Sequence, residues 1–139
     1  MELYLNEGNI APDTELPALF GHYHLLLKDI VTEIMVKYEE TLYCVAYYQS
    51  EILPLDEEGN TVAISRALYE KVQRYFEITG PGNRPRIYTH EMDGETLVDF
   101  SFRLPPGNIA TGIRYSPGNY DPSWKRLEGD WYVYEEIMV

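Results

Sequence analysis

One cysteine, Cys44, in 139 residues leaves no partner for an internal disulfide, which points to a reducing compartment. Long apolar runs are also missing: the longest, Leu42 to Tyr48, is far short of the roughly 20 residues that span a bilayer. Residues Met1 to Glu7 show no basic stretch leading into an apolar one, so the expected location is cytoplasmic, with no membrane contact. Basic residues are scarce. Eleven Lys and Arg stand against 23 Asp and Glu, for a formal charge of −12. Lys28 and Lys37 are the only basic residues of 1–65, so the first half carries most of the negative field. Such a field opposes the counterion release that drives nucleic-acid binding and attracts a basic macromolecule instead. Gly-x-Ser-x-Gly, His-Glu-x-x-His and P-loop patterns are absent, and with them the signatures of several hydrolase and nucleotide-binding classes.

What is present fits a single α+β domain over 1–139, with 1–20 as a possible N-terminal extension. Tyr23, Leu26, Leu27, Ile30, Val31, Ile34, Met35 and Tyr38 recur at helical spacing, which predicts an amphipathic helix. Asp13 or Thr14 is the candidate cap, and Pro17 and Gly21 are expected to interrupt the chain before the regular part. Leu42 to Tyr48 reads as a central strand buried on both faces, and Asp56 to Asn60 as a turn between extended pieces. A second helix is expected after Ser65, stopped by Gly80 and Pro81. Asp93-Gly94 predicts a two-residue hairpin in which Met92 faces Glu95, Thr89 faces Val98 and Ile87 faces Phe100. Tyr88, His90, Asp99 and Arg103 then share the opposite face. The segment from Trp124 to Tyr134 fits a helix by spacing and a strand by its Gly129-Asp130 break. Two main helices on a largely antiparallel sheet with a C-terminal hairpin is the expected architecture.

Candidate chemistry is thin. The three Pro-Gly-Asn triplets, at Pro81, Pro106 and Pro117, suit type II turns rather than a phosphate loop. His22-x-His24 cannot share one helical face, and His90 with Glu91 and Asp93 lacks a third well-spaced ligand, so no metal or other cofactor is expected. Cys44 sits in apolar surroundings that disfavour a thiolate nucleophile. An enzyme is therefore not the expected class.

Tyrosine is abundant, at 13 residues, and tyrosines give large contact area at low entropy cost in interfaces. Tyr47, Tyr48, Tyr132 and Tyr134 are the expected exposed aromatics. The partner-binding residues expected from charge and aromaticity are Tyr47 and Tyr48 as anchors and Glu51, Asp56, Glu57 and Glu58 as electrostatic contacts. Glu91, Asp93 and Glu95 form a second acidic patch at the hairpin end.

Several stretches resemble the YezG-like immunity proteins of bacterial polymorphic toxin systems. They are the helix ending in Tyr38-Glu39-Glu40, the aromatic strand Tyr43 to Tyr48, the helix Leu68-Tyr69-Glu70-Lys71-Val72 and the strand Gly94 to Phe102 with its Asp99-Phe100. That resemblance implies a small cytosolic protein that binds and blocks a cognate toxin, often a nuclease domain. The first twenty residues and the Pro-Gly-Asn loops depart from the family pattern. Two other classes remain. One is a small-molecule-binding or catalytic domain whose Arg84, Arg86, Arg103 and Arg114 hold an anionic ligand. The other is a DNA mimic with acids spaced like phosphates.

Overall fold

A computed structural model of the chain describes residues 10–104 and 108–137. Helix α1, Pro12–Glu33, opens after Ala11 with Pro12 at its first position, where a missing N–H costs nothing. Neither Asp13 nor Thr14 caps it; the Glu15 carboxylate accepts from the Ala11 N–H instead. Leu16, Leu19 and Phe20 are buried in the main core, so residues 12–20 belong to the packed body rather than to an extension. Pro17 and Gly21, expected to interrupt the chain, both lie within the helix, and the kink falls instead at Tyr23, whose φ and ψ are non-helical. Leu27, Ile30, Val31 and Ile34 then continue the buried stripe into a π-helical turn, Ile34–Tyr38.

The strands are β1 (Cys44–Tyr48), β2 (Glu51–Leu55), β3 (Arg86–Met92), β4 (Glu95–Leu104), β5 (Ile109–Tyr115), β6 (Lys125–Glu128) and β7 (Trp131–Ile137). They form one antiparallel sheet in the order β2-β1-β3-β4-β5-β7-β6. Strand β1 is thus next to an edge, and although Cys44, Val45 and Ala46 are buried, Tyr48 is exposed. The β3–β4 hairpin has the expected register: Met92 faces Glu95, Thr89 faces Val98 and Ile87 faces Phe100. The chain from Lys125 resolves as a β6–β7 hairpin, because Gly129, at φ 54°, makes the turn that a helix cannot contain.

Helix α2, Arg66–Thr79, starts at Ser65, whose Oγ accepts from the Leu68 N–H at 3.1 Å. The same Oγ donates to Glu33, which also accepts from Lys71 at 2.9 Å, so the cap ties α2 to α1. Gly80, at φ 81°, ends the helix. The Pro81-Gly82-Asn83 triplet is a 3-10 turn rather than a type II turn, and its purpose is visible in Asn83. That side chain is buried and its amide donates to the Thr79 carbonyl at the helix end.

Both helices cover one sheet face. Val45, Ile87, Val98, Phe100, Ile113 and Trp131 pack there against Leu16, Leu27, Ile30, Val72 and Phe76. On the outer face a second, smaller cluster joins Leu97, Trp124, Tyr132 and Tyr134. Residues 116–124 hold Trp124 over that cluster. Ser116 Oγ donates to the Asn119 carbonyl, and the Asn119 amide donates to the Met92 carbonyl at the base of the β3–β4 turn. The edge beside β2 is partly closed by the Val62 N–H, which donates to the Pro54 carbonyl.

Candidate functional site

Antiparallel alternation brings the start of β1 and the ends of β2 and β3 to one end of the sheet. The Tyr43 N–H bonds the Leu55 carbonyl at 2.8 Å, and the Thr89 N–H bonds the Tyr43 carbonyl at 2.8 Å. Three acidic segments converge there. Glu39 and Glu40 leave the end of the α1 π-turn, Asp56 to Glu58 form the loop after β2, and Glu91 lies near the end of β3.

Two hollows, of about 310 and 480 Å³, open side by side at this end, and both are lined by Glu40, Thr41 and Glu57. Glu39, Glu91 and His90 complete the smaller one; Asp56 and Glu58 complete the larger. The loop that carries Glu57 is pre-shaped, because Asp56 Oδ1 accepts from the Glu58 and Asn60 N–H groups at 3.0 and 2.8 Å. Glu39 is steadied by the Thr96 hydroxyl at 2.7 Å. Tyr43, 39% exposed, is the aromatic on this rim.

The remaining expected residues are distributed differently. Asp93 and Glu95 are exposed at the β3–β4 turn, and the Glu95 side chain lies against Gly118. Glu51 and Tyr48 face each other beside the β1–β2 turn, which is the other end of β2, roughly 16 Å from Asp56 by strand rise. Tyr48 is 60% exposed there. Tyr47 points the other way and stacks on Phe76, ring centres 5.1 Å apart, so it serves the core instead of an exposed surface. Tyr132 and Tyr134, expected to be exposed, are buried under Trp124. Sequence reasoning missed this because it had no cover for the outer face. Glu40 and Tyr43 were missed as site residues for a related reason: only the strand order places them beside Glu57 and His90.

The four arginines also separate. Arg114 is 1% exposed: Nε and Nη2 donate to the two Asp99 oxygens at 2.6 and 2.7 Å, Nη2 also reaches Glu136 at 3.0 Å, and Nη1 is buried without a hydrogen-bond partner. Its guanidinium carbon lies 4.1 Å from the Tyr134 ring centre and 4.7 Å from that of Trp124. His90 Nε2 lies 2.8 Å from Asp99 Oδ2. Burial pushes the Asp99 carboxyl up, but the hydrogen bonds and charges of Arg114 and His90 outweigh it and hold the group below the usual range. Arg84 and Arg86 are exposed at the opposite end of the sheet from the acids, and Arg103 is half-buried on the outer face. Burial raises the Cys44 thiol, as its apolar setting requires.

Among the described residues no three His, Cys, Asp or Glu side chains are grouped to hold a metal ion. No described helix is long and apolar enough to cross a membrane. Comparison with protein-family models, curated proteins and solved structures finds no match.

Proposed function

We propose that this chain is a non-catalytic immunity-type inhibitor that covers the basic surface of a cognate toxin, a nuclease domain being the best-fitting target. The observation that carries this reading is the convergence of Glu39, Glu40, Asp56, Glu57, Glu58 and Glu91 around two adjoining hollows. A nuclease presents Lys and Arg to phosphates, and a rigid acidic surface of opposite field occupies that groove and accelerates encounter. The resemblance to YezG-like immunity proteins supports the same class, and the reading places the protein in the cytoplasm with its toxin. The test is to inspect the neighbouring reading frame for a small basic domain at its end and to co-express that domain with this chain. Growth protected by the native chain and lost with Glu40→Lys plus Glu57→Lys supports inhibition. Growth arrest that the native chain does not relieve, or a neighbour that encodes no toxin, removes it.

A further inference from the structure

Tyr43 and His90 are common to the smaller acidic hollow and to a groove of about 270 Å³ on the outer sheet face. His90 Nε2 lies 2.8 Å from Asp99 Oδ2, and Arg114 grips both oxygens of that carboxylate. Those donors hold Asp99 below the usual carboxylate range, so near neutrality it has no proton to offer. The proton between the two residues therefore sits on the imidazole Nε2, which fixes the ring tautomer. Nδ1 is left as a bare acceptor. No hydrogen bond from a described residue reaches it, and the side chain is 33% exposed.

The charges on the two sides of this ring differ. On the groove side Asp99 and Glu136 are balanced by Arg103 and Arg114, and burial keeps the Tyr88 and Tyr134 phenols neutral. On the other side Glu39 and Glu40 from the end of the α1 π-turn, Glu57 from the loop after β2 and Glu91 from β3 line the hollow. No Lys or Arg among the described residues lines it with them. A proton taken up at Nδ1 thus leaves one side with little change and offsets an uncompensated field on the other. Imidazole is the side chain whose charge ordinarily changes between pH 5 and 8. Resting on the inhibitor reading above, we propose that His90 is a proton-operated control on the acidic end: uncharged it leaves the negative field whole, and protonated it loosens the hold on a basic partner. Linkage makes the effect reciprocal, so a docked cation favours loss of the Nδ1 proton.

The experiment uses the full chain, with a hexalysine peptide as the basic probe, between about pH 8 and pH 5.5 at fixed ionic strength. Nitrogen NMR of the His90 ring is expected to show Nε2–H with a bare Nδ1 in mildly alkaline buffer. As pH falls a proton should arrive at Nδ1, with the amides of Glu39, Thr41 and Glu57 following it. Over the same range the affinity for hexalysine should fall by roughly threefold to tenfold, the effect of one added charge at contact distances. His90→Gln, whose amide can still donate to Asp99, should remove most of that fall, and what it retains measures the carboxylates. His22→Gln combined with His24→Gln, both on α1, should keep the native fall. A ring protonated at Nδ1 alone in alkaline buffer, or an equal fall in the native chain and His90→Gln, overturns this proposal and leaves the inhibitor reading standing. Hexalysine that fails to bind even at the alkaline end removes the acidic docking surface, and the control with it.

Discussion

Arg114 grips Asp99 through two hydrogen bonds of 2.6 and 2.7 Å on the face of the sheet that no helix covers. The pair is a cross-strand neighbour by register, and it is buried because Trp124 and Tyr134 close over the guanidinium. Removing one member leaves a buried charge without its counterpart, whereas removing both leaves an apolar gap. Arg114→Leu alone should cost about 3–5 kcal/mol in urea unfolding, and Asp99→Leu combined with it should recover part of that loss. Additive losses in the double variant would deny the coupling.

The same pair fixes the acid response. Asp99 titrates below the ordinary aspartate value of about 3.9. Its contribution is therefore complete above that value and is lost as pH falls through the lowered folded one. Unfolding free energy measured against pH should separate the native chain from Asp99→Asn near neutrality, and the two curves should draw together in strong acid. Parallel curves throughout would show that Asp99 gains nothing from ionisation.

Ser65 both caps α2 and donates to Glu33, so Ser65→Ala removes two bonds at one junction. The expected loss is about 1–2 kcal/mol, read as a shift in denaturation midpoint at unchanged slope. Ser65→Asp keeps the cap but sets two carboxylates together, and it should restore little.

At the acidic end, position decides which charges matter. Reversal of Glu57 to Lys should slow association with the proposed basic partner and flatten its dependence on salt, while dissociation changes less. Glu51→Lys, at the far end of β2, should have a smaller effect on the same stopped-flow trace. Equal effects from both would mean that net charge alone governs encounter.

Local features were legible in the sequence to the extent that local physics decides them. The Ser65 cap, the Gly80 stop and the Asp93-Gly94 register each depend on a few adjacent residues, and each is as the residues suggest. Where a long-range cover decides, the chain could not be read in advance. Tyr132 and Tyr134 look like interface aromatics until residues 116–124 fold across them, and Arg114 looks like a ligand arginine until Asp99 is found opposite. The acidic surface lies between these cases. Asp56 to Glu58 and Glu91 are visible as charge, but Glu39 and Glu40 join them only through the order β2-β1-β3.

Pro54 gives the edge strand a further consequence. By ladder alternation Ile52 and Pro54 are the positions of β2 that turn their backbone outward; Pro54 has no N–H to offer and its carbonyl is taken by Val62. A visiting strand finds too few bonds along that border to extend the ladder. Whatever docks on this side of the molecule must be recognised through side chains, and neighbouring copies are discouraged from zipping into fibres there.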